Sequence, residues 1–293
     1  MPGRFAPPPE HDAPLPAATI AADGTRLHTA VPYADLPGFR PLELDLVLPP
    51  ESAAPPPLVL FLHGGGWRVG SRRRLGPGFD TAEGFARIAR AGIAVASADY
   101  RLSGEARWPA QLHDAKAAVR WLRARAAELG IDGTRITAWG ESAGGHLAAL
   151  LGLTGSVPAM EGTVGVTGIS SAVDAVVAWY APSELAAVGD PADPASREAG
   201  LLGAPPATIP HTAAEASPLT HVSASAPPFL LLHGTADRFV PAEQSQRLWH
   251  RLCAVGAAAE LHLIDGADHM WLGSDNGPET ALRHTIDFLT AGR

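Results

Sequence analysis

The residues with the clearest chemical meaning begin with a serine in the segment GESAG, residues 140–144. Ser142 stands between an apolar run typical of a buried strand and an apolar helical pattern. A sharp strand-to-helix turn of this kind holds a serine hydroxyl exposed and strained, and Gly140 and Gly144 leave the space that the turn needs. An ordinary glycine-rich loop is the alternative. The strand before the serine and the helix after it favour a nucleophile.

A second segment, HGGGW at residues 63–67, offers backbone N–H groups. Acyl transfer passes through a tetrahedral oxyanion, and amides can approach that oxygen only where side chains are absent. We therefore predict an oxyanion hole made by the amides of Gly65, Gly66 and Ala143. A phosphate-binding loop is a poor alternative, because the pattern is neither GxGxxG nor a Walker loop, and the only lysine of the chain is Lys116.

A serine hydroxyl needs a base, and the base needs an acid that fixes its tautomer. In α/β sheets with a serine at such a turn, the acid and then the histidine follow it along the chain. Asp237 comes after the apolar run 229–232 and His269 after the run 261–264, each in a loop at the end of a predicted strand. Ligands bind at this edge of open α/β sheets. The order and placement predict Asp237 as the orienting acid and His269 as the base.

Other titratable residues near these segments have simpler explanations. His63, His146 and His233 are expected to make structural hydrogen bonds, and Asp265 and Asp268 neighbour the base in sequence but point elsewhere on a turn. Neither a helix-borne histidine pair nor a calcium-type carboxylate loop accompanies them, so no metal site is predicted. The sequence calls for no cofactor.

Two tryptophans follow the predicted catalytic loops. Trp67 comes directly after the oxyanion glycines, and Trp271 lies two residues after the base. Both are predicted as walls of the substrate pocket, with packing in the core as the alternative for each.

The elements that position these residues alternate between strands and helices. Apolar runs typical of buried parallel strands occur at residues 58–62, 93–98, 136–139, 175–180, 229–232 and 261–264, and residues 42–48 alternate as a half-buried strand does. Helical spacing occurs at residues 110–129, 143–153, 242–255 and 279–289. The pattern predicts an α/β fold with a mostly parallel, doubly wound sheet covered by helices on both faces.

The chain is predicted to divide into an N-terminal segment and one catalytic domain. Residues 1–40 are rich in proline and alanine without a clear period, which indicates an arm over the domain or a partly ordered tail. Residues 41–293 form the domain. Within it, residues 183–218 break the alternation with prolines and glycines, and we expect a short cap-like insertion over the sheet edge.

Composition and charge limit the classes of binding partner and the location that the sequence predicts. The formal net charge of −8 gives no basic footprint for nucleic acid or an anionic membrane. No apolar run resembles a signal peptide or a membrane span, so the expected location is cytoplasmic. The single cysteine, Cys253, excludes an internal disulfide and is expected to be a small buried residue of a helix. The oligomeric state stays open.

Five motifs together resemble a known family. HGGGW, ADYRL, GESAGG, HGTADRFVP and GADHMW, in this order over roughly residues 42–289, resemble the α/β-hydrolase esterases related to hormone-sensitive lipase. The sequence departs from that group's usual YRLAPE and DPL motifs, at Ser103 and Gly104 and around Asp237, and is more similar to the bacterial acetyl and feruloyl esterase branch. The resemblance implies an α/β-hydrolase fold in which Ser142, Asp237 and His269 form a catalytic triad.

Three functions compete at this stage. A serine carboxylesterase acting on a small short-acyl ester through an acyl-enzyme is favoured. An amidase, arylformamidase or peptidase would use the same triad and oxyanion hole on an amide carbonyl. A non-catalytic binding protein on the same scaffold is disfavoured, because candidates for all three triad positions are present.

Overall fold

A single mixed sheet of nine strands runs through the part of the chain that the computed structural model describes, residues 10–51 and 54–291. The strands are β1 (Thr19–Ile20), β2 (Arg26–Ala34), β3 (Leu42–Leu48), β4 (Leu58–Leu62), β5 (Ala94–Ala98), β6 (Ile136–Glu141), β7 (Ala175–Trp179), β8 (Phe229–Gly234) and β9 (Ala259–Ile264). Their spatial order is β1-β2-β3-β5-β4-β6-β7-β8-β9. The first three pairings are antiparallel, and all pairings from β5 to β9 are parallel.

Helices connect the parallel strands. The α-helices of the described residues are α1 (Thr81–Arg90), α2 (Ala110–Ala124), α3 (Ala126–Leu129), α4 (Ala143–Thr154), α5 (Arg197–Leu202), α6 (Pro210–Glu215), α7 (Glu243–Ala254) and α8 (Gly277–Ala291). All four predicted helical segments are confirmed within a few residues, with 110–129 divided between α2 and α3. Helix α1 was not predicted.

The core lies on both faces of the sheet. Successive side chains of β4 point to opposite faces, so Leu60 belongs to one buried cluster and Phe61 to the other. Helices α2, α4 and α7 contribute to the cluster of Leu60, and α1 and α8 contribute to the cluster of Phe61. The predicted doubly wound sheet with helices on both faces is therefore confirmed, and it is the arrangement of an α/β-hydrolase.

The N-terminal segment differs from the predicted arm. Strand β2 pairs with β3 and β1 pairs with β2, so residues 19–34 belong to the sheet. The register of β2 shifts twice, between His28 and Val31 and between Pro32 and Ala34, and these irregularities break the period of two that would have revealed a strand. The first nine residues of the predicted arm lie outside the described residues.

Two residues that were predicted to be buried are exposed, one in β9 and one in helix α7. This strand lies at the edge of the sheet, and Leu263 is 40% exposed, because only one neighbour covers an edge strand. Cys253 is exposed rather than buried, because α7 turns Leu248 and Leu252 towards the core and presents Cys253 to solvent.

The predicted insertion, residues 183–218, consists of short helices. It holds α5, α6 and the 3-10 turns Leu185–Ala187 and Pro206–Thr208, and it ends in the turn Pro218–His221. We call residues 183–218 the cap. Within the described ranges, no helix is both long and apolar enough to cross a membrane.

Candidate active site

The candidate site lies where four parallel strands end at one edge of the sheet. Strand β4 leads into the HGGGW loop, β6 into Ser142, β8 into the loop of Asp237, and β9 into the loop of His269. Because β4, β6, β8 and β9 run in the same direction, these loops meet at the same edge.

Ser142 occupies a strained turn between β6 and α4. Its backbone has φ 51° and ψ −118°, and its N–H donates to the carbonyl of Trp179 at 2.9 Å. A Cβ atom on Gly144 would lie 1.9 Å from the carbonyl oxygen of Leu62, and one on Gly140 would lie 2.2 Å from the carbonyl oxygen of Gly144. Both glycines of the GESAG segment are therefore required by close backbone packing, as the sequence predicted.

The structure brings the three predicted triad side chains together. The Ser142 Oγ lies 3.0 Å from His269 Nε2, and His269 Nδ1 lies 2.7 Å from Asp237 Oδ2. Because an ionised carboxylate only accepts, Nδ1 carries the proton and donates to Asp237, which leaves Nε2 to accept from the serine hydroxyl. This is the geometry in which a histidine removes a proton from serine.

The acid of this arrangement is fully covered and well satisfied. The side chain of Asp237 is 0% exposed, and its Oδ1 accepts from the backbone N–H groups of Phe239 and Val240 at 2.9 and 2.8 Å. Burial alone would raise the pKa of Asp237, but hydrogen bonds from His233 and His269 outweigh it and hold the pKa below its ordinary value. Asp237 is therefore an anion at neutral pH.

The other histidines have structural partners. His233 Nε2 donates to the carbonyl of Val240 at 2.8 Å and lies 3.4 Å from Asp237 Oδ2, so it also contacts the Asp237 carboxylate. His146 bonds the carbonyl of Ala216 at 2.7 Å, and burial lowers its pKa to about 4. The ring of His63 bonds the carbonyl of the next residue at 2.8 Å and fixes the loop.

Asp265 and Asp268, the other acidic residues near His269 in sequence, hydrogen-bond to other partners. Asp268 accepts from the backbone and the side chain of Arg238 at 2.9 and 2.5 Å, and from the backbone N–H of His269 at 2.7 Å. Asp265 accepts from the hydroxyl of Thr235 at 3.2 Å. Among the described residues, no group of three or more His, Cys, Asp or Glu side chains is placed to hold a metal ion.

The three predicted oxyanion residues lie around the serine in one cleft. Gly65 has φ 116° and Gly66 has φ 60°, a backbone conformation that residues with side chains rarely adopt. A Cβ on Gly65 would lie 2.1 Å from the carbonyl oxygen of Val69. The amide of Ala143 is the first of α4 and has no carbonyl partner within that helix. Gly65, Gly66 and Ala143 all line the cleft beside Ser142.

The cleft has a volume of about 400 Å³ and includes one of the two predicted tryptophans. Trp67 lines it, although only 1% of this residue is exposed. Trp271 does not line it, and this prediction was wrong. Trp271 is buried behind Tyr180, with ring centroids 4.8 Å apart, because the backbone turns at Met270 and places that residue in the cleft instead.

Sequence reasoning missed a buried pair below the catalytic residues. Glu141 Oε2 accepts from the Tyr180 hydroxyl at 2.8 Å, and its Oε1 accepts from the N–H groups of Gly64 and Gly76 at 3.2–3.3 Å. The Tyr180 ring packs against the His269 ring with centroids 4.7 Å apart. Burial raises the pKa of Glu141, and hydrogen bonds from Tyr180 and the two glycines oppose that rise.

This pair links three loops of the candidate site. Glu141 directly precedes Ser142, it accepts from the N–H of Gly64 at the start of the glycine loop, and its partner Tyr180 packs against the His269 ring. The only sequence signal was an acidic residue inside an otherwise apolar strand end. Several further residues of the cleft were also not predicted, among them Val188, Arg197, Phe239 and Met270.

Comparison with known proteins gives a family and several relatives. Residues 44–252 match the model of the BD-FAE family. Esterase LipC of Mycobacterium tuberculosis is 35% identical over 222 residues, which are 73% of this chain and 53% of LipC. The chain spans about half the length of LipC and of two other curated relatives that it matches.

Two solved structures share the fold over almost the whole chain. A truncated carbohydrate esterase from gut microbiota superposes with a TM-score of 0.83 at 32% identity, over 93% of this chain and 98% of that one. The propionate-bound esterase Est2 of Thermogutta terrifontis superposes with a TM-score of 0.74 at 30% identity, over 92% of this chain and 94% of that one.

Proposed function

Because this chain belongs to the BD-FAE family and has the α/β-hydrolase fold, we propose that it is a serine carboxylesterase that hydrolyses small short-acyl esters. The observation that carries the proposal is the continuous hydrogen-bonded chain from Ser142 through His269 to Asp237, open to a cleft of about 400 Å³. The names of LipC and of the two structural relatives, all esterases, support it.

Acylation follows from the geometry. As the Ser142 Oγ attacks the ester carbonyl carbon, its proton passes to His269 Nε2, and the carbonyl oxygen becomes an oxyanion facing the amides of Gly65, Gly66 and Ala143. The buried Asp237 carboxylate stabilises the imidazolium that forms. Collapse of the tetrahedral species breaks the carbon–oxygen bond to the alcohol, which leaves with the proton from His269.

Deacylation uses the same groups in the opposite order. A water molecule gives a proton to His269 Nε2 and attacks the carbonyl of the acyl-serine, and the oxyanion again faces the three amides. Collapse breaks the bond between the acyl carbon and Ser142 Oγ, which recovers its proton from His269. The products are a carboxylic acid and a free enzyme.

The size of the cleft supports acetyl to butyryl esters. A volume of about 400 Å³ lies near the lower end of ligand sites, and the buried Trp67 closes the wall beside the oxyanion loop. Residues 10–16 add no wall: the carbonyl of His11 accepts from Trp121 of α2 at 2.8 Å, and none of these seven residues lines the cleft. The propionate in the Est2 structure fits the same size class.

The test is ester hydrolysis by matched serine variants. We expect hydrolysis of p-nitrophenyl acetate by the wild type and a fall in kcat on the order of a million fold in Ser142→Ala. Ser223→Ala removes an exposed hydroxyl that bonds the hydroxyl of Ser225, and it should change kcat by less than about twofold. A Ser142→Ala variant with near-normal turnover would contradict the proposal.

A series of p-nitrophenyl acetate, butyrate and octanoate tests the acyl size. Each buried methylene contributes about 0.8 kcal/mol, and a chain that extends beyond the cleft gains nothing from it. We expect kcat/KM to be highest at acetate or butyrate and to fall steeply by octanoate. A maximum at octanoate would contradict the short-acyl part of the proposal and leave the esterase part intact.

A further inference from the structure

The cleft contains a cation that the proposed mechanism does not use. Two arginines line the cleft, Arg68 and Arg197. Arg68 donates to the backbone carbonyls of Ala195 at 2.8 Å and of Ser196, so it holds the cap. The side chain of Arg197, at the start of α5, forms no ion pair and no hydrogen bond within the described part of the chain. Its guanidinium is therefore free to bind a ligand.

Arg197 is exposed, and its side chain packs against two residues of the cleft. The side chain of Arg197 crosses the cleft: its stem lies over Gly66, where an added Cβ would approach Arg197 Cδ to 2.3 Å, and its guanidinium carbon lies 5.1 Å from the centroid of the Phe239 ring. The Phe239 ring in turn lies 5.6 Å from the His269 ring. Arg197 thus extends from the oxyanion loop to the side of the base.

The position of His269 indicates which part of a bound ester lies near Arg197. His269 protonates the leaving alcohol, so the leaving group lies on the His269 side of the scissile bond. Phe239, which is 46% exposed, offers an apolar ring face on that side, and the guanidinium stacked on it presents planar donors suited to a carboxylate.

The surrounding charges do not neutralise Arg197. Glu198 is the acidic cap residue in the cleft, and no ion pair joins it to Arg197 within the described residues. Burial raises the pKa of Glu198, against the lowering effect of Arg197 and Arg68. Glu141 is engaged below the cleft with Tyr180 and two backbone amides. The chain as a whole carries a net charge of −8, which disfavours anionic ligands unless a local cation attracts them.

We propose that Arg197 selects esters whose leaving group is a planar, ring-containing alcohol or phenol that bears a carboxylate. The guanidinium binds this carboxylate, and Phe239 covers the ring of the leaving group. The proposal rests on the proposed esterase function and adds the substrate class. Hydrolysis of such an ester, for example an acetylated hydroxybenzoate, gives acetate and the free hydroxybenzoate.

The experiment compares a charged ester with its neutral counterpart. Substrates are 4-acetoxybenzoate and methyl 4-acetoxybenzoate, and the enzymes are wild type, Arg197→Met and Arg73→Met. Arg73 is exposed and lies outside the cleft. Arg73→Met therefore removes the same charge as Arg197→Met at a different place. We expect kcat/KM for the carboxylate ester to fall about tenfold in Arg197→Met, with less than about a twofold change for the methyl ester, and no loss in Arg73→Met.

A further arm places the carboxylate on the acyl side. Mono-p-nitrophenyl succinate should not depend on Arg197, and a tenfold dependence there would overturn the leaving-group assignment. Equal losses for the charged and neutral acetoxybenzoates would overturn the proposal, because they would show a merely structural role. If the wild type hydrolyses neither ester nor p-nitrophenyl acetate, the esterase function itself fails, and both proposals fall.

Discussion

We call the strand ends and loops below the cap, including the turn at Ser142, the floor of the cleft. The floor and the cap are held in place in different ways. The floor is built by backbone against backbone: Gly140, Gly144 and the end of β4 are so close that no side chain fits between them. The cap is held by side chains, through Arg68 to the carbonyl of Ala195 and through Gln244 to the N–H groups of Ser183 and Glu184, both at 2.8 Å.

This difference separates chemistry from selection. A backbone turn such as that at Ser142 changes only if the fold changes, whereas a side-chain contact such as Arg68 to the cap can be exchanged by one substitution. The floor therefore fixes where the proposed nucleophile, base and oxyanion amides lie. The cap contributes Val188 and Arg197 to the cleft, and in the proposed function it selects among esters.

The largest effect is expected from the base on the floor. His269→Ala should lower kcat on the order of a million fold, because no other histidine of residues 10–51 and 54–291 bonds Ser142 Oγ. Asp237→Asn should lower kcat about ten-thousand fold by disturbing the tautomer. Steady-state hydrolysis of p-nitrophenyl acetate measures both. His250→Ala, an exposed site on α7, is the matched control. Near-normal turnover by His269→Ala would assign the base to another residue.

A smaller effect is expected from the buried anchor below the floor. Glu141→Ala leaves the N–H groups of Gly64 and Gly76 and the hydroxyl of Tyr180 without their acceptor, which should lower the free energy of unfolding by about 3 kcal/mol. Because Gly64 leads into the oxyanion glycines, kcat should fall by about ten- to a hundredfold.

Urea unfolding and kcat on p-nitrophenyl acetate, measured on the same samples, check this expectation. Glu141→Gln keeps an acceptor for the two amides and should recover most of the activity. A Glu141→Ala variant with normal kcat and reduced stability would show that Glu141 supports the fold but does not position the oxyanion loop.

The smallest effect is expected from the cap. Gln244→Ala removes the acceptor for Ser183 and Glu184 and a donor to the carbonyl of Ala187, which lies next to Val188 of the cleft. KM should rise about three- to tenfold, while kcat changes by less than about threefold, because the triad is untouched. Gln246→Ala on the same helix is the control. A fall in kcat larger than the rise in KM would show that the cap also positions the floor.

The same division explains what the sequence predicted. Ser142, Asp237 and His269 follow strand ends in a fixed order, and Gly65 and Gly66 are tied to a backbone conformation, so pattern and spacing were enough to place them. Strands β3 to β8 are short apolar or alternating runs, and all were predicted within two residues at either end.

Residues whose role depends on side-chain direction could not be predicted. Trp271 lies two residues after His269, but the turn at Met270 directs it into the core. Glu141 gives no sign in the sequence that its carboxylate joins three loops. Strand β2 was missed because its two register shifts break the alternation on which strand prediction depends.

The central claim is that Ser142 is a nucleophile activated by His269 in front of the oxyanion amides. Its most direct test is reaction with a fluorophosphonate, which forms a tetrahedral adduct on an activated serine, followed by mass spectrometry of the digested protein. We predict a single adduct on the peptide that contains Ser142, formed much more slowly in His269→Ala. An adduct on any other residue, or equal labelling of wild type and His269→Ala, would contradict the account.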